Sequence, residues 1–210
     1  MSYSNATIAS HTLLPTFTTP PSAGWSWVNQ GGAAVATDAA GAIVVTAPAG
    51  AGNSLRLRTR TKSGNDDITA YVQHLGLSVC YNGAFIGVRD SATGKVSALN
   101  IFGFDGGGSD VTARMQVSVL RYTNATTYSS TPIQVRAPFR ECWLRIVDNG
   151  TNFSFEYNSD PYAGSATWIS ILSESRTAWT ATPDQWVFGA ESNDGTWPSG
   201  VRLCSWSETA

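Results

Sequence analysis

From Trp25 onward the chain is a succession of short apolar or alternating runs, each stopped by Gly, Asn, Asp or Pro. GAIVVTAP, NSLRLRTRT, AFIGVRD, KVSALNIFGF, NFSFEYN and WVFGAES each have the length of one strand and end at a turn signal. This punctuation constrains the fold more than any other feature. Side chains two residues apart share a face in a strand, and closely spaced short strands build sandwiches or barrels. No segment keeps an apolar stripe at helical spacing for more than about two turns. TPDQWVFG, residues 182 to 189, is the one place with room for a single helical turn. The expectation is one all-β domain over residues 24 to 210. Hydrophobic residues are 42% of the chain, enough to fill a sizeable core.

Residues 1 to 23 are different in kind: polar, Ser/Thr-rich, and holding Pro15, Pro20 and Pro21 of the nine prolines. Pro-rich polar segments stay extended. They read either as a first strand with a loose lead or as an arm that docks on a partner.

The stretch ECWLRIVDNGTNFSFEYNSD, residues 141 to 160, reads as a hairpin. Asn149-Gly150 is the signature of a type I′ turn, in which both central residues take positive φ. Cys142, Leu144 and Ile146 then share one face, as do Phe153, Phe155 and Tyr157 on the return strand. The aromatic face packs inward and Glu156 points away from it.

These residues resemble a hairpin of the concanavalin A-like lectin/glucanase jelly rolls, in particular the laminin-G-like branch. Trp143, Leu144, Arg145, Gly150, Phe153, Phe155, Tyr157, Ser159, Asp160 and Trp168 fit that pattern, with a longer turn before Trp168. GWSWVNQGGAAVATDAAGAIVVTAP resembles the family's opening strands, AFIGVRDSATGKVSALNIF its central pair, and WVFGAESNDG its penultimate strand and loop. The resemblance implies a two-sheet antiparallel jelly-roll sandwich, concanavalin A-like, with an extended N-terminal arm. The family includes lectins, glucanases and many virion surface proteins, and fold alone does not choose among them.

The chemistry narrows the choice. A retaining glycosidase needs two carboxyl groups about 5 Å apart. The glucanase branch takes them from one strand with acids at alternate positions, and this chain has no such run. Glu156 is followed two residues on by Asn158, Asp66-Asp67 is a turn pair, and Glu141 stands at a strand entrance. Of the two histidines, His11 lies in the arm, and His74 lies in a strand where a satisfied, half-buried role is expected. Serine-hydrolase, zinc-protease and phosphate-loop motifs are absent. The chain is therefore expected not to be an enzyme.

Other features point to binding. Of eight tryptophans, Trp143, Trp168, Trp186 and Trp206 sit in strands and read as core. Trp179 and Trp197 sit in polar turns, so Trp197, Asn193, Asp194 and Trp179 are the candidate glycan-facing set. FDGGGSD offers Asp105 and Asp110 as oxygen ligands for calcium, against the plainer reading of a Gly-rich turn. No other cofactor is expected. RLRTRTK places its arginines on one strand face and reads as solvated surface, too little for a nucleic-acid footprint.

Charged residues are only 13% of the chain, about half the usual share, and the net charge is −2. A neutral surface of hydroxyls and amides suits a virion better than a metabolic enzyme. Cys80, Cys142 and Cys204 are an odd number in apolar runs, expected as buried thiols of a protein made in a reducing cytoplasm. No signal peptide or membrane span is read. The expected role is a non-enzymatic virion-associated surface protein: a phage capsid decoration, head-fibre or tail-appendage component. Its expected partners are capsid or tail proteins reached through the arm, surface polysaccharide, and further copies of itself. A stand-alone lectin module is the alternative, and a glucanase-like hydrolase the third.

Overall fold

The computed structural model describes residues 17–50, 54–76, 82–104, 114–137, 139–160, 168–193 and 197–209. The elements are β1 (Ser26–Val28), β2 (Ala34–Thr37), β3 (Ile43–Ala47), β4 (Ser54–Thr61), β5 (Asp67–Gly76), β6 (Gly83–Arg89) and β7 (Val96–Phe104). They continue as β8 (Arg114–Asn124), β9 (Thr127–Arg136), β10 (Glu141–Asp148), β11 (Asn152–Asn158), β12 (Ile169–Ser175), β13 (Gln185–Ser192) and β14 (Ser199–Thr209). Sheet A runs β1-β4-β13-β6-β7-β8-β9 and sheet B runs β12-β11-β10-β5-β14-β3-β2. Every pairing is antiparallel. The result is the concanavalin A-like jelly-roll sandwich. The segment at 182 to 189 enters β13 directly, without a helical turn.

Alternation explains the core between the sheets. Ile68, Ala70 and Val72 of β5, Cys142, Leu144 and Ile146 of β10, and Phe153 and Phe155 of β11 face Ile86, Leu99, Ile101, Trp186 and Phe188 of sheet A. At one end Lys62 Nζ lies 2.7 Å from Asp148 Oδ2, with Arg176 Nε at 3.1 Å from the same oxygen. Lys62 and Asp148 are fully buried. This ion triad clamps the end of β4 to the end of β10, and the second cation offsets part of the desolvation cost.

The hairpin joins β10 to β11 with Arg145 directly opposite Glu156. Its turn differs from the type I′ expectation. Gly150 has φ +82, but Asn149 is not left-handed. The Asn149 side chain instead accepts from the amides of Thr151 and Asn152, which closes a longer loop with a single left-handed residue. Glu156 accepts from Arg145 Nε at 2.8 Å, and the Arg145 guanidinium lies over Trp168.

The arginines of β4 are not solvated surface. Arg56 donates to the backbone and side-chain oxygens of Asn29, and Arg58 donates to Trp25 O. Arg58 also covers the Trp27 ring, and Arg60 covers Trp25 while pairing with Glu208. The stripe holds the chain before and after β1 against the sandwich edge. Residues just ahead of it lie on the outer face of sheet B. Phe17 stacks on Trp143 and meets Tyr71 edge-on, and Thr18 bonds both Ser205 and Trp206. Residues 1 to 16, most of the expected arm, lie outside the described residues.

Two smaller expectations are corrected. Cys142 is a buried thiol, but Cys204 is only half-buried, because a bulge between Leu203 and Ser205 shifts the alternation of β14. His74 is 4% exposed and neither ring nitrogen has a hydrogen bond, so it is not satisfied. Burial, helped by the nearby Arg140, pushes its pKa down to about 4. Cys80 lies outside the described residues.

Candidate functional site

Sheet A carries a second apolar cluster on the face turned away from sheet B. Leu55, Leu57, Phe85, Val96, Ala98, Leu120, Tyr122, Ala125 and Val187 make it, and all are buried. What buries them follows from the curl of the sheet. Leu55 N on β4 donates to Ala125 O at the tip of the β8–β9 hairpin, 2.8 Å away. In the strand order four steps separate β4 from β8. Laid flat, those steps would span about 19 Å. The sheet therefore bends until its outer face is a deep concavity roofed by that hairpin. Three register shifts along β8–β9, between Val119 and Asn124, supply the bend.

Part of the concavity stays open as a cavity of about 340 Å³ lined by Phe102, Leu120, Tyr128, Thr131, Gln134, Glu191 and Asn193. Register places its floor. Glu191 on β13 lies opposite Gly83 on β6, Gly83 opposite Phe102 on β7, and Phe102 opposite Gln116 on β8. In the next row Phe85 faces Asn100, Asn100 faces Ser118, and Ser118 faces Gln134 on β9. Gly83 is required here: a Cβ would stand 2.4 Å from Asn100 Oδ1 and 2.8 Å from its Nδ2. That space lets Asn100 reach across to Glu191.

Glu191 is 2% exposed. Asn100 Nδ2 donates to its Oε2 at 2.7 Å, and the Tyr122 hydroxyl donates to its Oε1. No ion pair joins it among the described residues. Burial pushes its carboxyl up to about 7, only partly offset by these two donors. Asn100 Oδ1, Gln116 Oε1 and Ser118 Oγ are buried beside it without hydrogen-bond partners. Tyr128 is 39% exposed at the mouth, its ring edge-on to Tyr122 and its hydroxyl bonded to Thr131.

The candidates read from the sequence divide. Asn193 lines the cavity, and its amide donates to Asn82 Oδ1 while Asn82 Nδ2 donates to Trp197 O. Asn82 thus holds Trp197, 45% exposed, at the same end of β13. Trp179 is not brought to them. It precedes the start of β13, eight residues long, whereas Trp197 follows its end. Trp179 Nε1 donates to Val96 O and Tyr122 O, and its ring lies beneath Lys95 and Arg121. Its partners are structural. Asp194, Asp105 and Asp110 lie outside the described residues. Among those described, no three His, Cys, Asp or Glu side chains gather as metal ligands.

Glu191, Tyr122, Asn100 and the cavity lining from β8 and β9 were not read from the sequence. One signal was present. QWVFGA is apolar on both faces, as in a strand buried on both sides, and Glu191 continues the Val187-Gly189 face of that run.

No family model matches the sequence, and no curated protein matches it. Solved structures do match in fold. The GH43 protein BlXynB from Bacillus licheniformis superposes with a TM-score of 0.64 at 13% identity over 89% of this chain and 37% of its own. This chain thus spans little more than a third of that protein's length. The Bacillus licheniformis beta-glucanase gives 0.54 at 12% identity, covering 93% of this chain and 95% of its own. A legume lectin-like domain from Entamoeba histolytica gives 0.51 at 8% identity, covering 89% of each. At these identities the likeness establishes the concanavalin A-like fold.

Proposed function

We propose that the chain is a non-enzymatic carbohydrate-binding domain whose site is the cavity on the concave face of sheet A. The cavity itself is the observation that carries this reading. It is of a size for a small ligand, it presents aromatic surface from Phe102 and Tyr128, and Thr131, Gln134 and Asn193 ring it with hydroxyl and amide groups. Aromatic faces with planar polar partners are what a pyranose ring needs. Asn193 and Trp197 extend the site along its rim. That a lectin-like domain and a beta-glucanase share the fold is consistent with this use and does not decide it.

The non-enzymatic part is supported by the carboxylates. Glu191 is the only acid lining the cavity among the described residues, and acid-base glycoside cleavage calls for a pair. The virion setting belongs to the same proposal, with residues 1 to 16 as the segment that meets capsid or tail proteins, since Phe17 and Thr18 already pack on sheet B. Its support is the sparse charge and the Pro-rich N-terminal segment.

A glycan array with the purified chain, with and without calcium, tests the reading, with the printed sugars assayed afterwards for cleavage. The expected result is selective retention without cleavage, lost by about tenfold or more in Tyr128→Ala, whose side chain is exposed enough to remove without emptying a core. Retention of no glycan, or cleavage of those bound, overturns it.

A further inference from the structure

Five acids among the described residues are matched by a cation. Glu208, Asp148, Glu174, Glu156 and Asp38 each face an arginine or lysine. Glu191 has no such cation: it is nearly inaccessible, at the floor of a cavity, and held by the neutral Tyr122 and Asn100. Around it the unpartnered groups are oxygens. Asn100 Oδ1 and Gln116 Oε1 are acceptors only, and Ser118 Oγ has no partner either. They lie too deep to touch a ligand directly. Their negative ends nevertheless add to that of the carboxylate where little water screens them. At the mouth, Tyr128 offers an aromatic ring, and such rings also attract cations. The nearest cation in the same register rows is Arg136, opposite Gln116 on β9, and its side chain is exposed.

Resting on the carbohydrate-binding reading above, we infer that the sugar unit entering this cavity carries a free amino group: a hexosamine whose ammonium is held against Glu191. An ammonium supplies both missing quantities, a positive charge for the carboxylate and N–H donors for its remaining lone pairs. A uronate, sialyl or phosphoryl group is repelled by the same field. A neutral hexose leaves the charge unanswered. A lysine side chain brings the same ammonium, but its methylene stem has no use for Thr131, Gln134 and Asn193 at the rim, whereas ring hydroxyls do.

Calorimetric titration of the full chain at neutral pH with four probes tests this. They are a β-1,4-linked glucosamine trimer, its N-acetylated counterpart, the corresponding glucose trimer, and an N-acetylated lysine methylamide. The glucosamine trimer is expected to bind about tenfold or more tighter than the other three. Glu191→Gln is expected to abolish that preference, the glucosamine trimer falling to the affinity of the glucose trimer measured on the same variant. The acetylated trimer removes the charge from the ligand side, so the test stands even if the variant does not fold. Equal affinity for the three trimers, or a preference that survives in Glu191→Gln, overturns the amine assignment and leaves the carbohydrate reading standing. Lysine methylamide binding as tightly as the glucosamine trimer overturns the assignment to a sugar. Binding of no trimer overturns both.

Discussion

Glu156 and Glu191 are both glutamates on internal strands of this sandwich, and the fold treats them in opposite ways. Glu156 lies on the outer face of sheet B, opposite Arg145, which pairs with it and covers Trp168. Glu191 lies on the concave face of sheet A, where the rows beside it hold Gly83, Phe102 and Asn100, and the cation that ends its row, Arg136 on the edge strand β9, is exposed. A carboxylate with a guanidinium across the ladder is a cross-strand brace. A carboxyl with only neutral donors, at the floor of a cavity, is a group with unspent capacity to bind. Strand position does not separate the two residues. The face, and the curl that roofs it, does.

The largest expected consequence of this difference is a pH dependence of stability. The native state holds the Glu191 proton to about pH 7, whereas an unfolded glutamate releases it near 4.5. Unfolding therefore releases a proton between those values, and stability falls as pH rises through them, by about 3 kcal/mol in all. His74 acts in the reverse sense. Its pKa is lowered from 6.5 to about 4, so stability rises as pH climbs between those values. Urea unfolding of the native chain and of Glu191→Gln across this range separates them: the difference between the two curves should carry the Glu191 slope alone. A difference that stays flat with pH would remove the distinction between the two glutamates.

A smaller effect is expected at Gly83. Its replacement by alanine forces a Cβ into the Asn100 amide and pulls that donor from Glu191. The expected cost is about 2 kcal/mol, read as a lowered urea midpoint, with the Glu191 pKa rising further. Glu156→Gln should do least: under about 1 kcal/mol, and no change in glycan binding. A large loss of binding from that change would place the site on the outer face of sheet B instead.

What was legible in the sequence follows the same division. The β10–β11 hairpin could be read because its aromatics alternate and one turn closes it. The strands of the inner core could be read from their β-branched runs. β9 could not. TYSSTPIQVR has no alternating apolar face and carries Pro132, which argues against a central strand. β9 is an edge strand, where proline is tolerated, and Pro132 falls between the paired positions Ser130 and Ile133. Missing β9 meant missing the hairpin that roofs the concavity, and with it Tyr128, Thr131 and Gln134. The β4 arginines looked solvated because alternation alone does not reveal that Trp25, Trp27 and Asn29 return to cover them. Asn193 and Trp197 could be named as candidates because turn residues with an aromatic among them are a local pattern. Trp179 has the same pattern, yet its indole is spent on two backbone carbonyls.

The most direct test of the account is the titration of Glu191 itself, followed by carbon-detected NMR of its side-chain carboxyl in the native chain and assigned with Glu191→Gln. The account places the midpoint at about 7, because burial without a cation favours the protonated form. A midpoint at the ordinary glutamate value of 4.5 would show a carboxylate already solvated or already paired, and the reading of the concave face as a site built around an unmatched acid would be contradicted.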